Sequence, residues 1–226
     1  MGRGKHIAFE AGAGALLIVL LCAHVTCAAQ DRGGHTNGDE AHARQGDEPV
    51  TESFLNGTED GRKILAYLRC TDFDCAGALE EVVKLGPRAV PTLLKLLRRD
   101  APPAVAPDLP KEKLSLLVRT RVMRALGRLR EERALGPLAS ALRDESPLIR
   151  AGAAEALGEV GGDAALEHLT PLLRDDDELV RETTARALGA LKLAAALPAL
   201  REALGAEKRP HVRRALEEAV GAIERR

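Results

Sequence analysis

The stretch Ser146-Pro147-Leu148-Ile149-Arg150-Ala151-Gly152-Ala153-Ala154-Glu155-Ala156-Leu157-Gly158 recurs along the chain. Its Leu-Ile-Arg returns as Leu117-Val118-Arg119 and Leu179-Val180-Arg181, each 31 residues away, and as His211-Val212-Arg213 at an offset of 32. Eight residues after each arginine stands a glycine, in Ala125-Leu126-Gly127, Ala156-Leu157-Gly158, Ala187-Leu188-Gly189 and the degenerate Ala219-Val220-Gly221. A fixed period of this length means one supersecondary unit stacked on copies of itself.

The unit reads as two helices. Ser146 stands where an N-cap is wanted, and Pro147 occupies the first helical position, where its missing N–H costs nothing. Leu148, Ile149, Ala153, Ala156, Leu157 and Val160 fall on one broad face at a 3.6-residue period, and Gly161-Gly162 supply the positive φ that ends the helix. Asp163 is expected to cap the second helix, with Ala165, Leu166, Leu169, Leu172 and Leu173 turned inward. The next copy predicts helices from Asp177 to Leu191 and from Ala194 to Leu204. The preceding one predicts them from about Leu114 to Leu129 and from Glu132 to Leu142. Ala125, Ala156 and Ala187 let helix axes approach closely, and Leu126, Leu157 and Leu188 fill the space that remains.

The pattern resembles the short bacterial HEAT-like repeat first named in phycobilisome lyases. The residues that carry it are Ser146 to Gly158 with Ala165 to Leu173, and Asp175 to Gly189 with Ala196 to Leu204. Residues 60 to 100 fit more loosely, through Leu85-Gly86 and Val90 to Leu97. Tetratricopeptide repeats need aromatics at set positions and ankyrin repeats a Thr-Pro-Leu-His, which this chain lacks. The resemblance implies an all-α, right-handed solenoid of antiparallel helix pairs. It also implies that Arg119, Arg150, Arg181 and Arg213 form a ladder with the acids that open neighbouring repeats, Asp144, Asp175 and Glu207, as a structural device.

Composition agrees. The chain has 226 residues, 45% hydrophobic, 30% charged and 2% aromatic, enough for one good-sized core. No aromatic residue follows Phe73, so the core of the array is Leu, Val, Ile and Ala. The near-neutral balance and missing stacking residues argue against nucleic-acid binding.

Residues 1–29 are of another kind. Arg3 and Lys5 precede an apolar run from Ala11 to Ala23, and Cys27, Ala28 and Ala29 offer a cleavage site, which reads as a secretory signal. Retention as a membrane tether through residues 7–29 is the alternative, with the positive end inside and the repeats outside. Lipidation at Cys27 is the third route. All three place the repeats in a bacterial periplasm or on the outer face of the inner membrane. Residues 30–58 are expected to be a disordered linker; residues 30–61 carry two basic against eight acidic residues, about −6, and 62–226 carry 29 against 25, about +4.

After leader removal two cysteines remain, Cys70 and Cys75, which in an oxidising compartment are expected to form a small-loop disulfide beside a first helix at about Asp60 to Arg69. Asp74 is placed to cap the helix that follows. Asp100 to Lys113 holds Pro102, Pro103, Pro107 and Pro110, which forbid helix and interrupt the array; this insertion is a candidate partner-binding loop. The repeat domain accordingly spans 59–226.

Chemistry is harder to find. Only His168 and His211 fall in the repeats, on different helix types. The deoxyhypusine hydroxylases share this repeat and hold a di-iron centre with paired His-Glu dipeptides; here only the reversed Glu167-His168 occurs. Bilin lyases act in the cytoplasm on pigment-bearing partners, which suits neither an exported chain nor an aromatic-free array. No Gly-rich phosphate loop, Gly-x-Ser-x-Gly elbow or Cys-His pair is present. The expectation is a non-enzymatic, single-chain scaffold that binds a protein or peptide, with no catalytic residue, metal or cofactor.

Overall fold

The computed structural model describes residues 52–70, 75–97 and 111–225, and among these every regular element is helical. Three helices open the array: α1 (Glu52–Asn56), α2 (Glu59–Arg69) and α3 (Cys75–Lys84). A 3-10 turn at Gly86–Arg88 leads into α4 (Val90–Leu97). The remaining helices alternate between long first helices and shorter second ones. The first helices are α5 (Lys111–Leu129), α7 (Pro147–Val160), α9 (Glu178–Leu191) and α11 (Pro210–Glu224). The second helices are α6 (Leu135–Ala141), α8 (Gly162–Leu169) and α10 (Leu197–Ala206). All three carry a 3-10 turn: Glu132–Ala134 before α6, Thr170–Arg174 after α8 and Ala194–Ala196 before α10. This is an all-α solenoid.

The repeated glycine explains how the first helices stack. A Cβ placed on Gly127 would sit 2.9 Å from the Ala156 Cα, one on Gly158 2.9 Å from the Ala187 Cα, and one on Gly189 2.9 Å from the Ala219 Cα. Each first helix therefore touches the next, backbone to backbone, through a glycine on one side and an alanine on the other. Leu126, Leu157 and Leu188 beside these contacts are fully buried. Burying such a side chain contributes about 1.5–3 kcal/mol, and one continuous apolar core runs from Leu55 to Ile223.

Several local expectations are corrected. The linker was expected to extend to residue 58, but α1 lies within that span and buries Leu55 to 3% exposure; one buried apolar side chain in a five-residue helix leaves no period to read. Leu148, expected on the buried face, is 49% exposed, whereas Ile149 is 1% exposed and takes that place. Ser146 occupies the N-cap position without a side-chain cap bond; the Asp144 carboxylate accepts from its backbone N–H instead, at 2.9 Å. Gly161 (φ 88°) rather than Asp163 stands at the start of α8, so the chain reverses there by backbone freedom and Asp163 enters the first turn. Helix α5 begins at Lys111, inside the span assigned to the proline-rich insertion. The leader, residues 30–51 of the linker, Asp74, and Pro102, Pro103, Pro107 and Pro110 lie outside the described residues.

Candidate functional site

The repeated arginines of the first helices, mid-helix in α5 and in the first turn of the later ones, reach across the repeat boundary. Arg119 Nη2 lies 2.8 Å from Asp144 Oδ2. Arg150 grips both Asp175 oxygens, at 2.9 and 2.8 Å. Arg181 holds Glu207 in the same way, at 2.7 and 3.3 Å. Two of the guanidinium groups also donate back to turn carbonyls, Arg150 to Asp144 and Glu145 and Arg181 to Asp175 and Asp176, while Arg119 donates to the Leu97 carbonyl at the end of α4. Each acid in turn accepts from backbone N–H groups just downstream: Ser146 to Asp144, Asp177 to Asp175, Lys208 and Arg209 to Glu207. The result is a zipper of charge-assisted bonds. Burial alone would raise the Asp175 pKa, but hydrogen bonds from Arg150 and the Asp177 amide outweigh it and hold the carboxyl below its ordinary value. The Arg181 hydrogen bond, joined by the amides of Arg209 and Lys208, takes Glu207 down to about 2. Arg213 ends the row differently, on the carbonyls of Leu204 and Glu207 and 3.8 Å from its own helix's Glu217.

At the other end, Cys70 and Cys75 are joined in a disulfide that ties α2 to α3. Arg121 of α5 caps the end of α2, donating to the carbonyls of Tyr67, Leu68 and Cys70. The Tyr67 hydroxyl answers by donating to the Arg121 carbonyl at 3.2 Å. Burial pushes the Tyr67 phenol above its ordinary pKa. Sequence reasoning missed Arg121. A signal existed: the corresponding places in later repeats hold Gly152, Thr183 and Ala215.

Hollows lie between successive second helices. One, of about 430 Å³, opens between α4 and α6 and is lined by Leu94, Lys95, Leu97, Pro137, Ser140 and Ala141, with the Arg119–Asp144 pair at its floor. Two more share Leu173, Arg174, Glu202 and Ala203. They form a trough along α8 and α10, with volumes of about 440 and 580 Å³. Ala199 and Ala203 contribute apolar surface to it, while Arg174 and Glu202 pair across its mouth at 2.5 Å. His168 is exposed on α8, and His211 Nε2 on α11 is 4.0 Å from Glu182. The structure does not bring the two histidines into one cluster, and no group of three His, Cys, Asp or Glu side chains suited to a metal occurs among the described residues.

The sequence profile of the HEAT repeats family matches residues 112–182 and 169–221. The chain is similar in structure to the complex of CpcE and CpcF of phycocyanin lyase from a Nostoc species, with a TM-score of 0.54 and 24% identity over 70% of this chain and 96% of that one. It is also similar to human deoxyhypusine hydroxylase in complex with glycerol, with a TM-score of 0.49 and 26% identity over 75% of this chain and 64% of that one. A designed armadillo repeat protein in complex with a (KR)4 peptide gives a TM-score of 0.47 and 21% identity over 76% of this chain and 79% of that one. No curated protein matches the sequence. The likeness is one of fold.

Proposed function

We propose that this HEAT-like repeat protein is an exported, non-enzymatic scaffold whose second-helix face holds a protein or peptide partner. The observation that carries the reading is the placing of the hollows. They lie between successive second helices, so stacking itself makes them; two are open troughs lined mainly by Leu, Ala, Pro and neutral polar groups, and the third is lined mainly by the charged residues around the Arg181–Glu207 pair. Such a surface suits the side chains of another polypeptide. Pro137, Ser140, Glu167 and Glu202, exposed on the second helices, supply much of the lining with Pro171 of the turn after α8 and the half-buried Ala199. The Cys70–Cys75 disulfide, together with the leader that the sequence predicts, favours export to an oxidising compartment, the periplasm or the outer face of the inner membrane.

A photo-crosslinking residue at Ser140 or Ala199, compared with one at Arg124 or Arg186 on the first helices, tests the binding face in the native host. The expected result is a discrete crosslinked protein from the second-helix positions alone. Equal capture from both faces, or none from either, overturns the scaffold reading. The intact mass of the isolated protein tests export: a chain beginning after Ala28 or Ala29 supports it, and a cytoplasmic chain beginning at Met1 overturns it.

A further inference from the structure

The junction between α5 and α7 holds a carboxylate that stacking does not require. Glu159, in the last turn of α7, lies over Gly127 of α5, its Oε2 2.8 Å from where a Cβ on that glycine would stand. That oxygen is shut away from solvent and accepts no hydrogen bond among the described residues. The same register holds Ala190 in the next repeat and Ala222 in the last, and neither carries a charge. The repeats therefore stack without an acid at this place, whereas an ionised oxygen buried without a donor is costly.

The charges around it offer a way out of the notch. Arg124 and Arg128 of α5 and Arg130 of the turn that follows favour the ionised carboxylate, and Glu155, one turn back on α7, opposes it. All three arginines are exposed, so a carboxylate turned towards them also meets water. Arg128 is held from its other side by Glu80 of α3, at 2.8 Å. Of the charges on the neighbouring elements, Glu131 pairs with Arg133 at 3.3 Å, Arg186 of α9 pairs with Glu182 at 2.6 Å, and Asp163 of α8 is exposed. Burial is the largest influence on Glu159 and, with Glu155, outweighs the arginines, which holds the carboxyl above its ordinary pKa.

We infer that Glu159 is a proton-operated latch on the α5–α7 junction. Neutral, its carboxyl fills the notch above Gly127 and the two helices close on it. Ionised, it leaves the notch for the arginines and water, and Gly127 is uncovered. The sign is opposite to that of the ladder. The contribution of Glu207 is lost in acid, whereas the cost of Glu159 is present above its raised value and disappears as pH falls to the ordinary 4.5. The latch lies on the first helices, so it does not depend on what the second-helix face binds.

The test compares the full chain with Glu159→Gln, which keeps the shape of the neutral acid. At neutral pH the variant should melt above the wild type, and the gap should close as pH falls to the ordinary carboxyl value of 4.5. Carboxyl-carbon NMR reads the group itself, its signal assigned by its loss in the variant. The expected midpoint lies above 4.5, and the Gly127 amide should shift with the same midpoint. A variant no more stable than the wild type at neutral pH, or a gap that persists unchanged below pH 4.5, overturns the latch. So does a midpoint at or below 4.5, or a Gly127 amide that does not follow the titration, either of which would make Glu159 an ordinary surface acid.

Discussion

A glycine inside a helix ordinarily costs about 1 kcal/mol relative to alanine, yet Gly158 sits in the last turn of α7 with its would-be Cβ 2.7 Å from the Ala187 Cβ and 2.9 Å from its Cα. Backbone cannot yield as a flexible side chain does, so here the sign reverses: Gly158→Ala should destabilise by about 1–3 kcal/mol. Gly136 of α6 meets nothing within 4 Å, and Gly136→Ala should stabilise by about 0.5–1 kcal/mol. Urea titrations of the two variants check the pair, and a gain from both would show that the repeats do not touch through their glycines. Thr184 offers a different single-residue test. Its side chain is fully buried, and its hydroxyl has no hydrogen-bond partner among the described residues. Thr184→Val keeps the shape and removes the unpaired oxygen, so thermal melts should show a gain of about 1 kcal/mol. A loss would mean that the hydroxyl has an acceptor.

At the scale of the element, the ladder turns a row of helix starts into a fixed register, and its pH dependence follows from its acids. Glu207 is held at about 2, below its ordinary 4.5, so its contribution is complete above the ordinary value and is lost as pH falls towards the lower one. Wild-type protein should therefore lose more stability between about pH 5 and pH 2.5 than Glu207→Gln does. Parallel slopes in the two melts would remove Glu207 from the ladder's energetics. The Cys70–Cys75 bridge acts on α2 and α3. It closes a short loop, for which the chain-entropy estimate is about 2 kcal/mol. A Cys70→Ser, Cys75→Ser variant should lose about that much, with the loss in hydrogen-exchange protection confined to α1 to α4. Of these elements, the helix pairs were legible in the sequence because a period fixes which residues share a face, and the ladder partners followed from the family resemblance that the repeat carries. Arg121 stood out at its register, but its partners were not legible, because the carbonyls it caps lie more than 50 residues away and outside the clean repeats. The exposure of Leu148 was hidden for another reason: at the start of a helix, adjacent apolar residues both look like members of a broad stripe.

For the array as a whole, the hollows of the second-helix face could not be read from any one repeat, since concavity arises only when repeats stack. The change of character at α11 could have been read. Position 217 holds a glutamate where Met123, Ala154 and Ala185 are buried in earlier repeats, and Glu217 is exposed. Arg225 lies over Gly221, its Nη1 3.0 Å from where a Cβ would be. Helix α11 thus carries polar groups at a register that is apolar and buried in the earlier first helices. Stability in such an array is approximately a sum of repeat terms and nearest-neighbour contacts, so the consequence of damage depends on where along the row it falls. Leu157, fully buried in α7, has neighbours on both sides, while Ile223, 5% exposed, belongs to the last described helix. An unpaired carboxylate at either site costs several kcal/mol, against a total of about 5–15 kcal/mol for a domain. Leu157→Asp should abolish the cooperative melt of the whole array, since it severs α7 from α5 and α9 together. Ile223→Asp should fray α11 and leave α5 to α9 protected against hydrogen exchange. If Leu157→Asp instead melts like wild type, the assigned register of the repeats is wrong. If Ile223→Asp unfolds everything, the array behaves as one globular unit, and the nearest-neighbour picture on which the binding face depends must be given up.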